Sequence, residues 1–537
     1  MESIKNIKRA IRIVLLSWVV LFIFSNTVYA QLTDQTQTPN AAGRGIALSL
    51  EQQIGAGQGD IFTPGTSHYI IRRDPARAIR RGRQIFQRKF TRAQGQGPRI
   101  NDGIGGAIGE PDSIANNPGL GAGLGDSCAT CHGLPRGSAG FGGDVVTRPD
   151  GRNSPHLFGL GLQEQLADEI TRDLRTIRRK AVHEAVVSHA NVTRRMVSKR
   201  IFFGQITAHP DGTVDTSRVE GVDPDLRVRP FFAQGGTISM REFIVGAFSA
   251  EMGLQSPDPC LVTASGGGLC VTPSGMVLDG SKDTIEAPPV TTPAQDGDRD
   301  GVVNEIDPAV VDFMEFYLLN YFKPGTGKQS YETKKGLELM HKIGCTQCHK
   351  QNLVIERDRR VADVTTVFDP QKGHFNRLFA TAETRFVAVE DGDPLPQLLP
   401  KREPFVVRNI FTDFKRHDLG PNFHEINYDE TPQMEFVTEP LWGVGSTAPY
   451  GHDGRSINLM EVILRHGGEA LQSRNYFARL TRDHKNMIIE FLESLILFPP
   501  DSTASNLNPG DPTTVGFPQF GHGSINLGAL FQTPGPE

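Results

Sequence analysis

The sequence is poor in cysteine and tryptophan, and it has no long hydrophobic run beyond Phe24. Only six cysteines and two tryptophans occur in 537 residues. No stretch after Phe24 is apolar enough to span a membrane, so no transmembrane helix is predicted there. The formal net charge of −5 gives no reason to expect a nucleic-acid partner. With so few cysteines, a repeated cysteine motif can hardly arise by chance.

Four of the six cysteines lie in two copies of one motif. The strings CATCH at 128–132 and CTQCH at 345–349 both read C-x-x-C-H. This spacing lets two thiols bond the vinyl groups of one haem, while the next residue offers its imidazole to the iron. The alternatives are a redox site or a zinc site shared by the four cysteines, which would not require the histidines. We predict two covalently bound c-type haems, held by Cys128, Cys131 and His132 and by Cys345, Cys348 and His349.

The N-terminus has the pattern of a secretory signal peptide. A basic region at residues 5–12 precedes an apolar stretch, residues 13–24, that is short for a membrane span. Residues 28–30 then offer a cleavage site before Gln31. An uncleaved anchor is the alternative. Because c-type haem is attached after export, we expect a periplasmic protein with no transmembrane anchor after cleavage.

The two remaining cysteines, Cys260 and Cys270, flank a glycine-rich loop. In an oxidising compartment a disulfide between them is the simplest expectation, and two free thiols are the alternative.

Each half of the chain follows one plan: a helix, a haem motif, loops and a closing helix. Helices are predicted from Asp74 and Ser330 before the motifs, and from Asp307 and Thr481 after them. We therefore expect a mainly α, loop-rich fold with long insertions, in which two cytochrome c-like haem domains are related by internal duplication. The predicted segments are a signal peptide (1–30), an N-terminal extension (31–69), domain 1 (70–324), domain 2 (325–500) and an irregular C-terminal tail (501–537).

A short internal repeat carries the chemical information about the iron ligands. Residues 230–244 match residues 449–463 without a gap, at an offset of 219 residues. At this offset, His466 corresponds to Ala247. His452 corresponds to Ala233. The second haem therefore has nearby imidazoles that the first haem lacks.

These differences predict unequal haems. The second haem would be six-coordinate, with His349 and His466 as axial ligands, which suits electron transfer. The first haem would have His132 and an open distal face, which suits reaction with peroxide or oxygen. His156 could instead close the first haem. His466 could also be a surface or propionate-bonding residue, and His452 is expected to form hydrogen bonds near the second haem.

Two further predictions concern oxygen ligands and proton transfer. Glu251 ends the helix that follows the first repeat, and it could move a proton between peroxide oxygens; a solvated carboxylate is the alternative. The loop at 296–307 has the spacing of a calcium site, with Asp rather than Glu at its last position, although it could be a solvated acidic linker. Its predicted ligands are Asp296, Asp298, Asp300, Val302 (through its carbonyl), Asn304 and Asp307.

The chain resembles the di-haem cytochrome c peroxidase superfamily, which includes the methylamine-utilisation di-haem enzymes, and most closely its C-x-x-C-H di-haem oxidoreductase branch. The resemblance covers most of residues 70–500. It implies a calcium ion near the interface of two cytochrome c-like domains, a low-potential N-terminal haem that meets peroxide and a C-terminal haem that receives electrons. Glu251 matches the distal glutamate of this family. The matching strings are RNSP (152–155), AEMG (250–253), LWG (441–443), TAPY (447–450), HDG (452–454) and HGGEA (466–470).

Departures from the family pattern leave the reaction open. Phe243 stands where peroxidases usually have Gln, and Ala233 where a Trp often lies between the haems. Trp442 is the only tryptophan after the signal peptide and is a candidate neighbour of the haems. A displaceable histidine after the first motif is absent, which implies activity without reductive activation.

Three functions therefore compete. The first is a peroxidase that takes electrons from a small cytochrome c or a copper protein and reduces peroxide or another small oxidant. The second is an oxidase or oxygenase acting on a protein side chain or an organic substrate. The third is a non-enzymatic electron carrier, which unequal haem ligands disfavour.

Overall fold

The fold is described from a computed structural model. The signal peptide lies outside the described residues, as does the predicted C-terminal tail apart from residues 523–524. The structure describes residues 31–32, 49–97, 125–133, 139–142, 144–145, 152–298, 300–321, 325–327, 329–368, 378–426, 431–497 and 523–524.

Helices form the centre of both halves of the chain. The α-helices of the described residues are α1 (Leu50–Ile54), α2 (Ser67–Arg73), α3 (Pro75–Gln87), α4 (Cys128–His132), α5 (Leu160–Ser188), α6 (Met240–Met252), α7 (Pro259–Ser265), α8 (Pro308–Asn320), α9 (Tyr331–Lys342), α10 (Leu459–Arg465), α11 (Leu471–Arg479) and α12 (Arg482–Glu493). None of them is both long enough and hydrophobic enough for a bilayer crossing, a statement limited to the part of the chain that is described.

Many short strands lie between these helices. They are β1 (Gln31–Leu32), β2 (Asp144–Val145), β3 (Arg152–Asn153), β4 (Val192–Ser198), β5 (Ile201–Ala208), β6 (Val214–Asp215), β7 (Leu269–Val271), β8 (Val277–Asp279), β9 (Leu353–Ile355), β10 (Ala362–Phe368), β11 (Leu378–Thr384), β12 (Phe386–Val389), β13 (Gln397–Pro400), β14 (Phe405–Val407), β15 (Arg416–Asp418), β16 (Glu425–Ile426), β17 (Pro432–Gln433), β18 (Glu435–Val437) and β19 (Gly523–Ser524). Most pair in antiparallel twos, while β4-β5-β6 form a three-stranded sheet and β1, β10, β11 and β19 a four-stranded one.

The predicted fold class is wrong. The structure is 38% helical and 15% strand, and it is not plainly a mainly α duplication of cytochrome c domains. The strands occupy the segments that were predicted as loops and insertions. Because most are only two to four residues long, they carry no alternation that a sequence pattern could reveal.

The helices that flank the haem motifs begin where their capping residues predict. The backbone N–H of Arg77 donates to the Asp74 side chain at the start of α3, and the N–H of Ala309 donates to Asp307 at the start of α8. Ser330 and Thr481 cap α9 and α12 in the same way. These four helix predictions are confirmed.

Two close helix crossings depend on glycine. A Cβ at Gly82 in α3 would lie 2.2 Å from the carbonyl oxygen of Phe313 in α8. A Cβ at Gly336 in α9 would lie 2.0 Å from the carbonyl oxygen of Met487 in α12. Only glycine permits backbones to approach this closely, so the two crossings have the same physical basis in both halves.

The short repeat has the same local structure in both copies. Phe231 pairs with Thr237, and Tyr450 pairs with Ser456, so both bridges keep the offset of the sequence match. Helices α6 and α10 then begin one residue after their capping residues, Ser239 and Asn458 respectively. The repeat is therefore a local structural repeat, although the fold class drawn from it is wrong.

The hydrophobic cores combine residues from both halves of the chain. One core joins α3, α6 and α8 with Val361, Ala362 and Leu497. A second joins α5 and the β4–β5 hairpin with Leu353 and Trp442. The predicted boundary between residues 324 and 325 stays a prediction, and both cores contain residues from either side of it. Cys260, which belongs to the first core, forms a disulfide with Cys270 at a Cα–Cα distance of 5.5 Å.

Candidate functional site

The first haem motif lies at the edge of an open, mainly apolar cavity. Helix α4 consists of the motif itself, and its residues Cys128, Cys131 and His132 line a cavity of about 520 Å³ that includes its open mouth. The rest of the wall comes mainly from α3, α6 and α8. Its other lining residues are Phe86, Gly125, Ser127, Leu157, Phe243, Ile244, Ala247, Glu251, Met252, Met314 and Leu318.

His132 is held in the orientation that an iron ligand needs. Its Nδ1–H donates to the carbonyl oxygen of Pro155 over 2.7 Å, which leaves Nε2 free. Burial lowers the pKa of His132 to about 4, so the imidazole is neutral at physiological pH and can bind a metal. The residues present therefore fit a haem bound at this motif.

Three of the four motif cysteines, Cys128, Cys131 and Cys345, are neutral thiols. Burial raises the pKa of Cys128 to about 12, and burial together with the charge of Glu251 raises that of Cys131 to about 11. Burial also raises the pKa of Cys345 to about 11. A redox dithiol needs a depressed pKa, so this alternative for the motifs is disfavoured. Among the described residues, no metal-type cluster combines cysteines of both motifs, which disfavours the shared zinc site.

The distal wall of the first cavity carries one acidic group in apolar surroundings. Helix α6 brings Phe243, Ala247 and Glu251 to the cavity, and Glu251 lies close enough to Cys131 to affect its pKa. The Phe243 ring contacts the rings of Phe231 and Phe232, with centroids 6.0 Å and 5.3 Å away. Glu251, the predicted distal residue, and Phe243, which departs from the peroxidase pattern, therefore lie on the same wall of the cavity. The sequence did not indicate that Met252 and Met314 also line it.

The second motif repeats the proximal arrangement. The Nδ1–H of His349 donates to the carbonyl oxygen of Phe411 over 3.0 Å. Burial lowers the pKa of His349, so this imidazole is neutral as well. Its Nε2 is left for an axial bond, as at His132.

His466 lies near His349 of the second motif. It follows the last residue of α10, and its Nδ1–H donates to the carbonyl oxygen of Val462 over 2.7 Å. Burial, and to a smaller extent the charge of His349, lower its pKa to about 4. That electrostatic effect requires the two imidazoles to be near each other. His466 is thus a neutral imidazole with a free Nε2 beside the proximal ligand of the second motif.

His156 is unsuited to bind the first haem iron. Its Nε2–H donates to the carbonyl oxygen of Trp442 over 2.9 Å. Its Nδ1 accepts the backbone N–H of Phe158 over 3.2 Å. Since both ring nitrogens are used, His156 offers no lone pair to iron in this arrangement.

Residues 402–495 match the family described as “Di-haem oxidoreductase, putative peroxidase”. The predicted resemblance to the di-haem oxidoreductases is confirmed. A search of curated proteins finds no match. The matched residues include Trp442, His452 and His466, and they exclude both haem motifs.

Within the matched segment, His452 and Trp442 pack against neighbouring side chains and backbone. His452 stacks on Phe436 at 4.1 Å between ring centroids, and its Nε2 lies 3.1 Å from the Glu425 carboxylate. Its carbonyl oxygen accepts the backbone N–H of Asn153 from the RNSP string. The Trp442 ring is buried and packs so closely on Gly159 that a Cβ there would lie 2.7 Å from the ring.

A charged triad beside the second motif was missed by sequence reasoning. His417 lies between two carboxylates, with Nδ1 2.7 Å from Glu469 and Nε2 3.1 Å from Asp413. Although burial opposes it, hydrogen bonds to Asp413 and Cys348, together with the charges of these two groups, raise the pKa of His417 to about 11. Its only sequence signal was Glu469 in the HGGEA string. Cys348, Asp413 and His417 have ligand-type atoms within 4.8 Å of one another, but both nitrogens of His417 already face carboxylates.

The acidic loop brings three of its predicted calcium ligands together. Ligand atoms of Asp296, Asp298 and Asp300 lie within 4.8 Å of one another. Asp298 is 2% exposed, and its Oδ2 has no hydrogen-bond partner within the described ranges. Asp307 is not part of this group; it caps α8 through a 2.8 Å bond from Ala309.

Glu305 is a neighbour of this loop that the sequence did not indicate. Burial and the charges of the three aspartates raise the pKa of Glu305 to about 8, while a bond from Gln255 opposes this. Burial and Asp300 raise the pKa of Asp298 to about 6. A cation would relieve this crowding of carboxylates.

Proposed function

We propose that this chain is a periplasmic c-type di-haem oxidoreductase with peroxidase-like activity. Electrons from a small cytochrome c or copper protein would enter at the C-terminal haem and pass to an open N-terminal haem, where peroxide is reduced. The observation that carries this proposal is the contrast between Ala247 and His466, which correspond when the offset of the local repeat is extended by three residues. The methyl group of Ala247 lines the first cavity, whereas His466 offers an imidazole beside His349.

The tautomers of the histidines support this division of roles. His132, His349 and His466 each use Nδ1 for a backbone carbonyl and keep Nε2 for iron. The second haem would then have two imidazole ligands, which favour electron transfer without a vacant position. The first would have only His132, since both nitrogens of His156 are occupied. Unequal sites of this kind disfavour a simple electron carrier.

Glu251 supports the peroxidase-like part of the proposal. A group that takes a proton from one peroxide oxygen and returns it to the other must lie on the open side of the haem. Glu251 is the only acidic residue among the cavity-lining residues of the described structure. Its position on α6, in the cavity wall and near Cys131, supports this role.

A second candidate function is oxidation of an organic substrate. The aromatic side chains of Phe243, Phe231 and Phe232 form one cluster, and Phe243 replaces a polar residue of the peroxidases. The mainly apolar wall of this cavity suits contact with the carbon skeleton of an organic substrate. Turnover of peroxide with a reduced cytochrome distinguishes this candidate from the first.

Electron paramagnetic resonance of the purified ferric protein tests the proposal directly. We expect one high-spin signal from the first haem and one low-spin signal from the second. Two low-spin signals would contradict an open site. In that case Met252→Ala and Met314→Ala would show whether a thioether from the cavity wall binds the iron.

Covalent attachment is tested by haem counting. We expect two haems per chain by absorption after denaturation, because thioether bonds survive unfolding. The double variant C345S/C348S should retain only the haem at the first motif, and C128S/C131S only the haem at the second motif. The variant C260S/C270S, which removes the disulfide, is the matched control and should retain both. Loss of haem on denaturation of the wild type would exclude a c-type protein.

Calcium binding at residues 296–300 is also proposed, and it predicts a metal-dependent stability. At a calcium concentration about 100 times the dissociation constant, a bound ion stabilises the fold by about 3 kcal/mol. We expect chelation to lower the melting temperature and Asp298→Asn to remove that effect, because its buried Oδ2 has no other partner. Asp211→Asn, in an exposed turn, is the control. An unchanged melting temperature on chelation would argue for a metal-free acidic loop.

A further inference from the structure

The backbone groups that accept hydrogen bonds from His132 and His349 are connected to each other through His156 and Trp442. The carbonyl oxygen of Pro155 holds His132, and the next residue of the chain is His156. The Nε2–H of His156 crosses to the other half of the chain and donates to the carbonyl oxygen of Trp442 over 2.9 Å. The first proximal ligand is thus two hydrogen bonds and one peptide unit from Trp442.

A further series of hydrogen bonds leads from Trp442 to the second motif. Leu441, which precedes Trp442, donates its backbone N–H to the carbonyl oxygen of Ile410 over 3.0 Å. The residue after Ile410 is Phe411, whose carbonyl oxygen accepts the Nδ1–H of His349. Four hydrogen bonds and three short covalent segments therefore connect the two proximal imidazoles without a through-space gap.

We propose that His156 is a positioning residue that completes this path and couples the two haem sites. The inference rests on the proposed function, because it requires a haem at each motif. One electron leaves the iron held by His349, and the iron held by His132 gains it; the external donor then replaces the electron that was lost. The only side chain that bridges within the path is that of His156, since its other links are backbone groups and the ligands themselves.

The surroundings of His156 fix its ring and its tautomer. The backbone N–H of Phe158 donates to Nδ1, which places the proton on Nε2, where Trp442 accepts it. Gly443 leaves the space that the ring needs, because a Cβ there would lie 3.0 Å from Nε2 of His156. Its φ of 78° also favours glycine at this position. A histidine that merely filled the core would not need this arrangement.

Two substitutions of His156 test its hydrogen bond to Trp442 separately from its other contacts. In His156→Gln the amide nitrogen can reach the position of Nε2 and still donate to Trp442. In His156→Asn the shorter amide can keep the contact with Phe158 but cannot reach Trp442. Asn320→Ala removes a different buried bridge, from Asn320 to the backbone of Val361 and Ala362, and serves as the control.

The measurement is the rate at which an electron redistributes between the haems of the full-length holoprotein. Pulse radiolysis supplies one electron through a viologen radical, and absorption follows each haem. We expect His156→Asn to slow redistribution by about tenfold or more, while His156→Gln stays within about threefold of the wild type and Asn320→Ala does not change it. Haem content and spin signals should be those of the wild type in all variants.

Two results would overturn the inference. The first is electron redistribution at the wild-type rate in His156→Asn, with both haems and their spin signals intact. The second is an equal rate in His156→Gln and His156→Asn, which would assign the effect to packing. If His156→Asn does not accumulate, His156→Phe keeps the ring and removes the same donor. A wild-type protein without two haems would overturn the proposed function, a result distinct from the two above.

Discussion

Replacing Glu251 by Gln is expected to lower peroxide turnover by about 10²- to 10⁴-fold, the usual contribution of a positioned proton-transfer group. The side chain lines the first cavity on the face of α6, next to Cys131. Gln has the same shape but cannot accept and return a proton. Haem content and both spin signals should therefore remain unchanged. The measurement is steady-state turnover of hydrogen peroxide with a reduced small cytochrome as donor.

Two further variants make this test specific. Glu251→Asp keeps a carboxylate on a shorter side chain and should recover part of the lost turnover. Glu286→Gln removes an exposed carboxylate that does not line the cavity and should have no effect. Wild-type turnover in Glu251→Gln would show that the carboxylate has no part in proton transfer. Loss of a haem in that variant would instead indicate a structural role.

The second large effect is expected at the other haem. His466→Ala should abolish the low-spin signal, because it removes the imidazole opposite His349 and leaves an open position. Added imidazole should restore the signal by occupying the space that the side chain leaves. Electron paramagnetic resonance with and without imidazole provides the measurement. His183→Ala, on the exposed end of α5, is the matched control. A persistent low-spin signal in His466→Ala would assign the sixth ligand to another residue.

The sequence predicted the helices better than the fold as a whole. Four helix starts could be predicted because capping is a local interaction between neighbours in the chain. The capping residues are Asp74, Asp307, Ser330 and Thr481. The strands are different. For example, β9 pairs with β14, about fifty residues away, and each contributes only three residues. Such pairs depend on tertiary contacts that no local pattern contains, and the expected mainly α class failed for that reason.

The same distinction between local and distant interactions applies to the candidate site. The equivalence of His466 and Ala247 was predictable, because the repeat keeps one offset and its bridges and caps follow it. The occupation of both nitrogens of His156 was not predictable, since its partner Trp442 lies 286 residues away. The same applies to His417, whose partner Glu469 is 52 residues away. In each case the chemistry of the imidazole is decided by a distant group.

The core that joins α5 and the β4–β5 hairpin to Leu353 and Trp442 has a consequence for biogenesis. The ribosome makes the helix and hairpin long before it makes Trp442, so early intermediates lack part of their packing partners. Nascent chains truncated before Leu353 should accordingly be digested by protease within α5, and full-length chains should resist.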